Sequence, residues 1–262
     1  MGDPPPVGRR GLVASGLVAS LVPAAALSQS RQTVERPAPQ TVSMVLPGLV
    51  EHRARLHLPA PGKPAPSIIV VPDGFGLTPE FDAMGAALAF EGIIGLVVDP
   101  VNGKLAGTGV DAERHAEEAD AEVPGVISAW YDWLRNRLEG NQQVGAFGFG
   151  RHGGRWAVDG SLSTAANGVA VWNARIDRTV RELHTIYELF VVHCSERDPF
   201  AGPVIQADLA ERVRRAGREP HIFRYRAQPG FYNPRLPEYD KPDATLAWRR
   251  SIGLWRKLWM MG

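Results

Sequence analysis

The stretch VGAFGFGRHGGRWA, Val144 to Ala157, decides the fold. Its apolar first half fits a buried strand, and its glycine-rich middle fits a sharp turn into a helix. Small-x-x-x-small spacing at a strand-to-helix turn frames one exposed reactive side chain in α/β enzymes. Outward from it, the sequence alternates. Ser67–Asp73 is a short β-branched run, fit for a central parallel strand buried on both faces; Ile93–Pro100 is the next buried strand, and Gln143–Gly148, Gly168–Trp172, Tyr187–His193 and His221–Tyr225 read as the third to sixth. Helical patterns fill the intervals: from Thr78, a possible cap, to Gly92, then Asp111–Glu122, Val126–Leu138, Arg155–Ala166, Arg178–His184, Ile205–Ala216 and Ala244–Met260. Residues Val42–Leu58 supply one or two edge strands, and Pro59–Pro66 reads as a loop. This rhythm predicts a mostly parallel central sheet with helices on both faces.

In such sheets ligands bind outside the carboxyl ends of the strands. The residues placed there are Asp73-Gly74-Phe75, Asp99, Gly148–Gly154, Asp198 and Gln228–Asn233.

These segments resemble the dienelactone hydrolase family. VVPDGFGL is similar to that family's first strand and turn, EGIIGLVVDP to its EGY-hydrophobic-PD strand, and VGAFGFGRHGGRWA to its VG-x-x-GFC-x-GGR nucleophile turn. HCSERDPF resembles its HG-x-x-D acid segment, RAQPGFYNPRLPEYD its A-x-HGF segment, and TLAWRRSIGLW its last helix. The resemblance runs in order from Ser67 to the end. It implies an α/β-hydrolase fold, ester or lactone hydrolysis by a nucleophile–His–acid triad, and no cofactor.

The sequence departs from that triad. Asp198 keeps the acid. Anchored on Gly148-Phe149, the nucleophile position falls on Gly150; anchored on Gly153-Gly154-Arg155, it falls on Arg151; the elbow spacing puts His152 at the tip. None offers a hydroxyl or thiol, and the count suggests one extra residue in the turn. The family's His position is Pro229, which has no titratable group. What remains is a pocket at a helix N-terminus, suited to an anion or a carbonyl oxygen. Asp73, Gly74, Phe75, Gly150, Arg151, Pro229, Phe231 and Tyr232 are the expected ligand contacts, and His152 and Asp198 the expected chemical groups. Three readings follow: a non-catalytic relative binding a small carboxylate- or lactone-like ligand or a protein partner; a non-standard ester or lactone hydrolase with His152 as general base; and a scaffold whose pocket Arg151 closes. His193-Cys194-Ser195 follows a strand directly, so Cys194 is expected to pack below the site rather than attack.

The 29 basic and 28 acidic residues leave a net charge of +1, which gives no field for nucleic acid. The scattered histidines have no metal-ligand spacing. Gly74-x-Gly76 lacks the third glycine of a dinucleotide turn. The single cysteine cannot form an internal disulfide. Residues 1–28 order a polar start ending in Arg9-Arg10, an apolar run broken by Pro23, and the small-x-small triplet Ala26-Leu27-Ser28. That is the order of a cleaved export signal, with the arginine pair resembling the twin-arginine type. The expected organisation is this signal, a linker or arm over 29–45, and one α/β-hydrolase domain over 46–262. The expected location is a bacterial periplasm, with no membrane span after cleavage.

Overall fold

A computed structural model describes residues 36–47 and 50–259. The expected signal over 1–28 lies outside them. Eight strands form one sheet in the order β1-β2-β4-β3-β5-β6-β7-β8. They are β1 (Gln40–Val45), β2 (Glu51–His57), β3 (Ala65–Val71), β4 (Ile94–Val98), β5 (Gly140–Phe149), β6 (Gly168–Trp172), β7 (Leu189–Ser195) and β8 (Pro220–Tyr225). β1 and β2 run antiparallel to their neighbours. The remaining pairs are parallel. This is an α/β fold of the α/β-hydrolase kind.

The strand chemistry follows from what covers each face. Every residue of β3, β4, β6 and β7 is buried, as strands covered by helices on both faces are. β2 instead alternates, with His52, Ala54 and Leu56 buried and Glu51 and Arg53 exposed. β2 is not an edge strand, because it lies between β1 and β4. β1 makes the edge, pairing six residues with β2 from Gln40 to Val45. The sheet therefore takes up the end of the segment read as a linker or arm.

The helices are α1 (Pro79–Phe90), α2 (Gly109–Ala119), α3 (Val123–Arg135), α4 (Gly150–Ser161), α5 (Val180–Leu183), α6 (Pro203–Arg215) and α7 (Lys241–Trp259). Thr78 stands at the N-cap of α1 but makes no side-chain capping bond. α4 starts five residues before the expected Arg155. The glycines that read as an extended bend lie inside its first turns, where they let the helix sit directly on the sheet. A Cβ on Gly153 would stand 2.5 Å from the Pro72 carbonyl oxygen.

The chain fixes where the site must be. From β3 it goes to β4 on one side and then crosses to β5 on the other. The carboxyl ends of β3 and β5 therefore flank the point where the winding reverses, where α/β sheets bind ligands.

Candidate active site

A cavity of about 290 Å³ opens at that point. Asp73, Gly74 and Phe75 reach it from the end of β3, and Gly150, Arg151 and His152 from the first turn of α4. Asp198 comes from the segment after β7, and Pro229 and Tyr232 from the loop after β8. These are nine of the ten residues expected from sequence. The tenth, Phe231, is a correction: it is fully buried in the core, 4.9 Å from the Tyr225 ring, and does not line the cavity. Tyr232, the next residue, faces the cavity, while Phe231 packs against Tyr225 in the core.

The structure separates the three registers of the turn. Gly150, the first residue of α4, follows the end of β5 with φ +71°, the left-handed conformation that glycine adopts freely. A Cβ on Gly150 would lie 2.7 Å from the Tyr232 hydroxyl and 3.2 Å from Asp73 Oδ2. The elbow tip is thus Gly150. This corrects the expectation that spacing puts His152 there. His152 lies further along the first turn of α4, and its Nε2 is 3.1 Å from Glu113 Oε1. Its Nδ1 is 3.3 Å from the Arg155 guanidinium. Since arginine only donates, Nδ1 accepts, and Nε2–H is left to donate to Glu113. Its hydrogen bonds thus run to Glu113 and Arg155, and to neither Asp73 nor Asp198.

Asp73 Oδ1 accepts from the Phe75 N–H at 3.1 Å, and Oδ2 accepts from the Tyr232 hydroxyl at 3.0 Å. Burial pushes its carboxyl up to about 6, against the opposing pull of those two bonds and of His152. Burial, with the Asp73 carboxylate beside it, holds the Tyr232 phenol well above its usual range. Asp198 is committed differently. Its Oδ1 accepts from the Phe200 and Ala201 N–H groups at 2.9 and 3.1 Å. Its Oδ2 accepts from the Asn173 amide at 3.4 Å. Asn173 also accepts from the Gly230 N–H at 3.4 Å, tying the acid segment to the loop that carries Pro229.

At the mouth, Arg151 is half-exposed, 3.0 Å from Glu113, and lies over the Phe200 ring at 5.3 Å. Its neighbour Arg175 pairs outward with Asp177. Asp120 holds Arg155 and accepts from Trp156 Nε1 at 2.8 Å, pinning α4 to the end of α2. Phe149 stands at the N-cap of α4 and has no capping side chain, so the helix's first-turn N–H groups receive no side-chain cap.

Sequence reasoning missed Asn173, Arg175, Glu113, Phe200 and Leu236 in the lining. Asn173 directly follows β6, so the strand-end rule applied to that strand finds it. Glu113 arrives by packing of α2, which no local pattern reports. Asp99, also at a strand end, is turned away from the cavity and accepts from the Gly103 N–H at 2.6 Å. Cys194 is buried, its thiol pushed up to about 11 by burial. Among the described residues, no group of three His, Cys, Asp or Glu side chains is placed to hold a metal. No helix among them is long and apolar enough to cross a membrane.

Strand order and the site at the β3–β5 switch define the α/β-hydrolase fold. The model of the dienelactone hydrolase family matches residues 53–258, and the chain belongs to that family. A structure designated m3DLH is 18% identical with a TM-score of 0.75, over 85% of this chain and 98% of the other. The dienelactone hydrolase-like promiscuous phosphotriesterase P91, from metagenomic libraries, is 18% identical with a TM-score of 0.72, over 85% and 98%. Dienelactone hydrolase from Anabaena variabilis is 18% identical with a TM-score of 0.60, over 84% and 98%. These likenesses show the fold. No curated protein sequence matches the chain.

Proposed function

We propose that this chain is an exported dienelactone-hydrolase-family protein that binds a small carboxylate- or lactone-like ligand and performs no triad hydrolysis. The observation that carries the reading is the elbow tip. Gly150 stands there at φ +71° and brings no oxygen or sulfur. Pro229, in the family's histidine position, lines the same cavity. An acyl-enzyme needs a nucleophile and a base in contact, and these two positions supply neither. The uncapped first turn of α4 remains as a place for a carbonyl or carboxylate oxygen. Arg151 is held by Glu113 and Phe200 beside the cavity, which weighs against a scaffold closed by that side chain.

The second reading makes His152 a general base in ester or lactone hydrolysis. In its favour, His152 lines the cavity and pairs with the Glu113 carboxylate. Against it, one ring nitrogen donates to Glu113 and the other accepts from Arg155, so neither is free to take a proton from water. His152→Ala is therefore expected to retain turnover of p-nitrophenyl acetate, with its pH dependence shifted through Asp73; loss of turnover at every pH would restore this reading.

Activity-based labelling tests the proposal. The folded protein is treated with a fluorophosphonate and, separately, with iodoacetamide, and then mapped by mass spectrometry. No adduct in the cavity is expected, and Cys194, buried with a raised pKa, also stays unmodified. A covalent adduct on a cavity residue would overturn the proposal. Export is checked by expressing the full chain in a bacterium and looking for a shortened protein in the periplasm.

A further inference from the structure

The two oxygens nearest to where a side chain on Gly150 would point belong to Tyr232 and Asp73. The carboxylate therefore stands within reach of the place that a reacting carbonyl takes in this kind of site. We propose that Asp73 is a general base that drives water onto the carbonyl of a small ester or lactone in this cavity, so that hydrolysis proceeds without an acyl-enzyme. This rests on the reading that the elbow carries no nucleophile.

The other candidate bases are engaged. His152 has both ring nitrogens in hydrogen bonds. Asp198 accepts three hydrogen bonds and is used in holding its own loop. Glu113 carries Arg151 and His152 on Oε1 and stands at the mouth, not among the atoms nearest to where a side chain on Gly150 would point. Asp73 lines the cavity, is fixed by one bond to each oxygen, and keeps a lone pair on each for a water. Its burial strengthens it as a base while leaving it mostly ionised at neutral pH.

In the step, the water oxygen bonds to the carbonyl carbon while one water proton passes to Asp73. The carbonyl electron pair moves to oxygen, facing the first-turn N–H groups of α4. Collapse expels the alkoxide, which takes the proton back from Asp73. The products are an alcohol and a carboxylic acid, or the hydroxy acid from a lactone. Water is the only co-reactant.

The test follows p-nitrophenyl acetate and δ-valerolactone with the full chain. Turnover above the buffer rate is expected, with kcat lowered about 100-fold or more in Asp73→Asn. Single turnover in ¹⁸O-water is expected to label the product acid and leave Asp73 unlabelled. Tyr232→Phe gives a readout that a merely structural role would not move. The groups facing Asp73 are Tyr232 from the late loop and His152 from α4, with Asp198 beyond Tyr232. Tyr232 favours the ionised carboxylate, so its removal is expected to move the acid limb of the pH–rate profile to higher pH.

Absence of turnover, full activity in Asp73→Asn, or label within Asp73 would each overturn the proposal. If Asp73→Asn does not fold, an unmoved acid limb in Tyr232→Phe does the same. A fluorophosphonate adduct would instead overturn the underlying reading, so the two failures are told apart.

Discussion

At the scale of single residues, Gly150 carries the most information. Its positive φ disfavours any side chain by about 1 kcal/mol or more. The Tyr232 hydroxyl 2.7 Å from the Cβ direction adds a steric term. Gly150→Ala is therefore expected to lose about 2–3 kcal/mol in urea unfolding. In a Tyr232→Phe background the same change loses less, because the contacting oxygen is gone while the backbone cost stays. Additive losses in the double-mutant cycle would show that the two groups do not meet. The sequence made this position visible as one of three registers. It could not choose among them, because the choice depends on where the strand stops and φ turns positive. Phe231 failed for a related reason: a loop has no period from which to tell its inward residue from its outward one.

At the scale of elements, the strands were legible and the start of α4 was not. Runs such as SIIVV and GVAVW bury every side chain, so composition alone marks them. Gly150, Gly153 and Gly154 read as a bend because glycine disfavours helix. Packing overrides that propensity. The backbone of α4 approaches the end of β3 so closely that only glycine fits at Gly153, where an added Cβ meets the Val71 and Pro72 carbonyl oxygens at 2.7 and 2.5 Å. Backbone atoms cannot rotate aside as a side chain can. Gly153→Val is expected to cost about 3 kcal/mol or more and to lower the thermal midpoint steeply, as measured by circular dichroism. Retained wild-type stability would mean that α4 does not lie on β3. The same close approach sets Gly150 beside Asp73, so the packing of one helix positions the site. The contribution of α2 to the site, through Glu113 and Asp120, was illegible because it arises only when two distant segments meet.

At the scale of the whole molecule, two buried groups tilt stability with pH in opposite directions. His193 is fully buried, 2.8 Å from the Tyr225 hydroxyl and 2.7 Å from Ser251, and burial holds it down at about 3. The unfolded chain binds its proton near 6.5, so the stability His193 allows is present above 6.5 and is lost as pH falls toward 3. Asp73 works the other way. Its folded value of about 6 lies above its unfolded value near 3.8, so the folded state holds the extra proton. Its cost is absent below 3.8, grows as pH rises, and is complete above about 6. Between those limits the two slopes, each about 1.4 kcal/mol per pH unit, offset one another. Asp73→Asn removes one of them. The variant is expected to match the wild type in stability near pH 4 and to exceed it by about 3 kcal/mol at pH 7, less whatever the altered bonds to Phe75 and Tyr232 cost. Urea unfolding of both proteins across pH 4–8 checks this. A stability difference that stays constant with pH would mean that Asp73 carries an ordinary carboxyl, and the buried base of raised pKa on which the proposed chemistry draws would be absent.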